Sequence, residues 1–179
     1  LRGCNRLIKY VSPDRAPTNE DRYTRLRGLF ADYNSVGITG VCDGASGDSS
    51  HRRYRRMLDN DELTVRLWCQ HHIGTIGDLD EILDPLYREH PMLRIIGVKV
   101  FLDGGMLTGS AYMRKPWGVS DIYAIDDPDY RGVLFIPHER LTPMVRAAIE
   151  NDLQFNAHSV GDGAGHALLA AYEEVNQSI

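Results

Sequence analysis

The stretch Leu93-Arg94-Ile95-Ile96-Gly97-Val98-Lys99-Val100-Phe101-Leu102-Asp103 decides the fold of this chain. It is rich in β-branched residues and bounded by His90-Pro91 and Gly104-Gly105, so it reads as a strand. Side chains alternate across a strand. One face then carries Ile96, Val98, Val100 and Leu102, and the other Ile95, Gly97, Lys99, Phe101 and Asp103. Leu153–His158 divides in the same manner, with Leu153, Phe155 and Ala157 opposite Gln154, Asn156 and His158. Leu63–Gln70 sets Leu63, Val65, Leu67 and Cys69 against Thr64, Arg66, Trp68 and Gln70. A doubly wound sheet is covered on both faces and is apolar on both. One apolar face opposite a face that repeatedly holds polar groups fits a barrel interior better, with chemistry at the strands' C-terminal ends.

Outward from that strand, helical and strand-like stretches alternate, the pattern of βα units on a parallel sheet. Thr18 with Asp21 forms a capping box before Tyr23, Leu26, Phe30 and Tyr33 at helical spacing. Ile38–Cys42 reads as a short strand, and Asp48 as the cap of a basic helix through Tyr54 and Met57. Leu79–Tyr87 reads as a helix broken at Asp84-Pro85. Thr142, with Pro143 in the first helical position, opens a helix to Asn151. Asp162 caps a last helix whose apolar stripe is Ala164, Leu168, Ala171, Tyr172 and Val175. Residues 104–137 show no period; so long a connection marks a lid or a substrate wall.

Composition sets the outer limits. The chain has 179 residues, 42% hydrophobic and 25% charged, which is globular rather than disordered. Twenty basic against twenty-five acidic residues leave a net charge of −5, which argues against nucleic acid or an anionic membrane as partner. No apolar run approaches the roughly 20 residues of a membrane span. Cys4, Cys42 and Cys69 make no disulfide framework, which fits a reducing, cytoplasmic setting.

Lys99 and His158 are the residues with chemistry to explain. A lysine in mid-strand between valines is costly to bury unless neutralised or paired. A Schiff base, a paired structural lysine, a lysine carboxylated to ligate metal, or one that snorkels to an edge or pairs with Asp103 all suit the position. His158 ends its strand just before Gly161-Asp162, a place for a metal ligand, a general base or a structural histidine. Gly161–Gly165 matches no phosphate-binding fingerprint and reads as a tight strand-to-helix turn. Arg52, Arg53, Arg55 and Arg56 read as a solvated helix face.

Four stretches carry a resemblance. They are Val36-Gly37-Ile38-Thr39-Gly40-Val41-Cys42-Asp43, Val98-Lys99-Val100-Phe101-Leu102-Asp103-Gly104, Leu141-Thr142-Pro143 followed by Ala147-Ala148, and Asn156-Ala157-His158-Ser159-Val160-Gly161-Asp162. In order and spacing they resemble the metal-dependent amidohydrolase superfamily, and within it the amidohydrolase family 3 group. The resemblance implies a (β/α)8 barrel whose strand ends hold a mono- or dinuclear divalent metal centre, with zinc the expected ion. It implies His158 as the fifth-strand metal ligand and Lys99 as the fourth-strand lysine that many relatives carboxylate. Asp103 would support the site from the barrel mouth, with Trp117 and Asp162 in its surroundings. The implied reaction is hydrolysis of an amide, formamide or cyclic amide in a small-molecule substrate by metal-bound water.

The departures matter equally. The first-strand His-x-His pair of the family is absent, and His71-His72 are adjacent, so they point to opposite sides of a regular strand. Thr108-Gly109-Ser110-Ala111 has glycine where the family's arginine usually stands. A complete barrel takes about 250 residues. The chain is therefore expected to be the central part of a barrel, about four strands, associating with itself or with the rest of a parent chain. A catalytically silent α/β module and a Lys99-dependent aldolase-type barrel stand as the competing readings.

Overall fold

The computed structural model describes residues 16–79 and 90–178. The first helix, α1 (Asn19–Ser35), starts at the expected capping box: Thr18 Oγ1 accepts from Asp21 N at 3.1 Å, and Thr18 N donates to Asp21 Oδ2 at 2.7 Å. Tyr23 and Phe30 are buried on its inner stripe, with Leu26 and Tyr33 packed beside them. The helix closes through Ile38, whose N–H donates to Tyr33 O, and Gly37 takes φ +83° to turn the chain. Ile38 therefore belongs to the helix end, and β1 runs later than expected, Gly40–Ser46.

Three further helices and three strands follow. They are α2 (Asp48–Asp59), β2 (Arg66–His72), β3 (Leu93–Phe101), α3 (His138–Glu150), β4 (Gln154–His158) and α4 (Asp162–Asn176). Short 3-10 turns lie at Ile76–Leu79 and Met106–Thr108. The proposed helix Leu79–Tyr87 falls outside the described residues, apart from Leu79. Three helix starts differ from the sequence reading. Gly47 and Gly161, not Asp48 and Asp162, are the N-caps, and the aspartates are the first helical residues. Helix α3 begins a turn before Thr142, because Pro137 O accepts from both Arg140 N and Leu141 N; Pro143 then sits inside the helix.

The sheet is wholly parallel, in the order β1-β2-β3-β4. Right-handed crossovers between strands in sequential order put α2 and α3 on the same side of the sheet. That is the winding of a (β/α) barrel, whereas a doubly wound sheet must reverse direction and cover both faces. Burial agrees. Val65, Leu67, Cys69, Val98, Val100, Leu102 and Phe155 are buried on the helix side with Met57, Leu141, Val145, Ala164, Ala171 and Val175. Trp68, at 51% exposure, and Phe101, at 40%, lie on the opposite, open face.

The face split of β3 needs one correction. Ile95 is buried at 4% exposure and Ile96 is half-buried, the reverse of simple alternation. Cys69 pairs with Ile95 but the next residue, Gln70, pairs with Gly97, so Ile96 is an extra residue in a bulge. The bulge swaps the phase: Leu93 and Ile95 face the helices before it, and Val98, Val100 and Leu102 after it. Gly97 sits where a Cβ would lie 2.5 Å from Gln154 O, so this position of β3 admits no side chain.

Candidate active site on the open face

Strand register places the polar residues in rows. His72 on β2, Lys99 on β3 and Asn156 on β4 are successive Cα partners in one row. In the next row toward the strand ends, Phe101 is the partner of His158. The structure thus puts Lys99 and His158 on adjacent strands of the same face, at the C-terminal end of the sheet. The Phe101 ring stands between two imidazoles, its centroid 5.4 Å from that of His72 and 5.4 Å from that of His158. Lys99 Nζ lies 6.0 Å from the same centroid, at the outer limit for a cation–π contact. Lys99 is half-buried rather than enclosed. Asn156 Nδ2 is buried with no hydrogen-bond partner among the described residues. A donor in that state, beside Lys99, is satisfied by an oxygen acceptor.

Asp103 does a different job from pairing with Lys99. Its carboxylate, in a residue 2% exposed, accepts from Val160 N through Oδ1 at 2.9 Å. Oδ2 accepts from Tyr112 N at 2.9 Å and from Gly161 N at 2.7 Å. No ion pair joins it to Lys99 among the described residues. Three charge-assisted bonds to backbone therefore tie the end of β3 to the long loop and to the turn after His158. The loop reinforces the buckle. Tyr112 O accepts from Gly163 N and Ala164 N, and Asp162 Oδ1 accepts from Arg114 N at 2.9 Å. Gly161 permits the contact: a Cβ there would sit 1.9 Å from Tyr112 O. Trp117 is half-buried within the same loop, its Nε1 donating to Ala111 O at 2.8 Å and its ring edge-on to Tyr123 at 5.5 Å. Residues 104–137 lack a regular period yet are internally bonded, with Met113 N donating to Arg131 O and Trp117 N to Tyr130 O, while Phe135 N donates to Leu102 O just past β3.

A second polar cluster lies on the helix side, where sequence reasoning placed none. Ser46, His51 and His71 are each at most 5% exposed. Ser46 Oγ is 2.9 Å from His51 Nε2 and also donates to Gln70 O at 3.1 Å. The His51 and His71 rings are 5.1 Å apart, and Asp48 Oδ1 is 3.6 Å from His71 Nε2. Burial, and then repulsion from His71, push the His51 imidazole down to about 4, against the pull of Asp43 and Asp48. Burial, and then the charge of Asp43, push the Cys69 thiol up to about 12. Tyr54 donates to Asp43 Oδ2 at 2.7 Å, and burial raises its pKa above the ordinary phenol range. The signal for this cluster was present in the phase of β2: His71 follows Leu67 and Cys69 onto the core side, and His72 follows Trp68 and Gln70 onto the open one.

The sequence profile of the Amidohydrolase family matches residues 4–179. The chain belongs to that family. Two solved structures share its fold, both of uncharacterized metal-dependent hydrolases. The one from Pyrococcus furiosus is 22% identical with a TM-score of 0.71, covering 94% of this chain and 34% of its own. The one from Pyrococcus horikoshii OT3 is also 22% identical, with a TM-score of 0.70, covering 93% of this chain and 33% of its own. The protein LONG AFTER FAR-RED 3 of Arabidopsis thaliana is 33% identical over 79 residues, 44% of this chain and 12% of that protein. The chain thus spans about a third of the length of these two proteins. Among the described residues no group of three or more His, Cys, Asp or Glu side chains converges to hold a metal ion. A catalytic zinc site takes three protein ligands and a water. The described residues alone do not complete such a shell.

Proposed function

We propose that this chain supplies the central strands of a metal-dependent amidohydrolase barrel acting on non-peptide C–N bonds, in an amide, formamide or cyclic amide. The observation that carries the reading is the open face. A family member whose parallel sheet is covered by helices on one side presents Lys99 and His158 on adjacent strands of the other. In this reading His158 is a metal ligand and Lys99, carboxylated, is a second. The metal, taken as zinc, would supply an activated water and a Lewis acid. The chain's own residues have narrower tasks. Asn156 offers its buried amide donor to an oxygen in the Lys99 row, on the carbamate or on the substrate. Phe101 separates His72 from His158 and gives the substrate an aromatic wall. Asp103 is a positioning residue, holding the turn after His158 and the 104–137 loop together as a substrate wall. The remaining ligands come from the rest of a parent chain or from a second copy.

The lack of a three-donor cluster among the described residues favours one competing reading, a catalytically silent module kept as a scaffold. Incubation of the chain with zinc or manganese and simple N-acyl or cyclic amide compounds separates the two. Hydrolysis that a chelator abolishes supports the amidohydrolase reading. No turnover together with no zinc retained on dialysis supports the module, and turnover that survives chelation contradicts both.

A further inference from the structure

Four arginines crowd helix α2, and the helical repeat sorts them. Arg55 turns to Asp59 one turn on and pairs with it at 2.9 Å. Arg56 reaches across to α1, where its Nη1 lies 2.7 Å from Glu20 Oε2 and its guanidinium carbon 3.9 Å from the Tyr23 ring centroid. Arg52 and Arg53 form no ion pair among the described residues; Arg53 Nη2 donates to Ser50 Oγ at 3.3 Å. Arg52, Arg53 and Arg56 share one side of the helix with Ser49, and these four line a cleft of about 210 Å³ closed by Asn19 of α1. Every lining side chain donates hydrogen bonds, and none is a carboxylate.

We propose that this cleft binds the phosphate group of a small phosphomonoester. Guanidinium groups present paired N–H donors that match phosphate oxygens, and they stay charged at every relevant pH. Arg56 is already held by Glu20 and Tyr23, so one wall of the cleft is organised before a ligand arrives. Arg52 and Arg53 are neighbouring cations without a carboxylate, and a dianion between them relieves their repulsion. The chain as a whole carries −5, so a cleft of three arginines is a local exception that draws an anion to one place. Asp48, in the first turn of α2, opposes an anion there, but it lies toward His71 and not in the cleft lining. Since α2 buries His51, Tyr54 and Met57 against the sheet, the cleft lies on its outer side, away from Lys99 and His158. The site is therefore separate from the open face and does not depend on the reaction proposed there.

The test is a calorimetric titration of the 179-residue chain with inorganic phosphate, glycerol phosphate and pyrophosphate, at constant ionic strength in chloride. The expected result is saturable binding of glycerol phosphate, weakened at least about tenfold, or ~1.4 kcal/mol, in the Arg52→Ala, Arg53→Ala double variant. Arg55→Ala, outside the cleft lining and paired with Asp59, should bind as the unaltered chain does. Equal binding by the double variant, an equal loss in Arg55→Ala, or no saturable binding of any probe would overturn the proposal. Binding confined to inorganic phosphate or pyrophosphate would overturn the assignment to a phosphomonoester. Circular dichroism of the variants confirms that these surface changes leave the fold intact.

Discussion

Replacing Asp103 with alanine is the most informative single perturbation of this fold. The carboxylate accepts from three backbone amides, of Tyr112, Val160 and Gly161, in a residue 2% exposed. Hydrogen bonds to a charged group contribute roughly 1.5–3 kcal/mol each, and buried donors left without acceptors carry a desolvation cost of about 1–3 kcal/mol. The three bonds share one group and do not add, so about 4 kcal/mol is the expected loss for Asp103→Ala. That is a large share of the roughly 5–15 kcal/mol that holds a domain folded. At about 2–4 °C per kcal/mol for a chain of this size, the melting temperature should fall by about 10 °C. Asp103→Asn keeps one acceptor oxygen and turns an amide group toward a backbone N–H, so an intermediate loss of about 2 kcal/mol is expected. Urea unfolding followed by far-UV circular dichroism measures the loss. Acrylamide quenching of Trp117, in a Trp68→Phe background, reports whether the loop has come away from the turn after His158. An Asp103→Ala chain within about 1 kcal/mol of the unaltered one, with Trp117 quenching unchanged, would show that these three bonds do not hold the loop to the turn.

Two further perturbations test the packing behind the site. Gly161→Ala places a Cβ 1.9 Å from Tyr112 O, against backbone that Asp103 already fixes, and should cost at least about 3 kcal/mol in the same unfolding assay. His51 titrates near 4 in the folded chain against about 6.5 when unfolded, so the unfolded state binds the proton more readily between those values. Stability from this group is therefore full above pH 6.5 and is lost as the pH falls toward 4, up to about 3 kcal/mol. His51→Gln should flatten that part of the pH dependence; a variant whose stability falls as steeply as that of the unaltered chain between pH 6.5 and 4 would contradict it.

How much of this was legible from the residues depends on what alternation can see. On β2 and β4, period-two patterning divided core from open face correctly, and Leu67, Cys69, Leu153 and Phe155 are buried as read. On β3 the same rule put Ile95 on the wrong face, because one extra residue at Ile96 reverses the phase and leaves no mark in composition. The two aspartates read as helix caps sit one place inside their helices, since Gly47 and Gly161 take the extended cap conformation instead. At Gly161 the reason is tertiary: only a residue without Cβ lets Tyr112 O approach, and that contact joins segments about fifty residues apart. The Asp103 buckle and the Ser46–His51–His71 cluster are tertiary in the same sense, as their partners come from separate elements. His51 is further hidden by the arginines around it, which give its helix a polar look while His51, Tyr54 and Met57 turn inward. The rows of the open face, with Lys99 beside Asn156 and Phe101 beside His158, follow from strand register, which no single strand records.

In the proposed function Lys99 and His158 belong to one metal-binding face. Equilibrium dialysis of the chain against zinc and manganese, for the unaltered protein, Lys99→Ala and His158→Ala, tests it most directly. Each substitution should weaken metal binding by at least about tenfold while far-UV circular dichroism stays unchanged. Metal binding by His158→Ala and Lys99→Ala equal to that of the unaltered chain would contradict it.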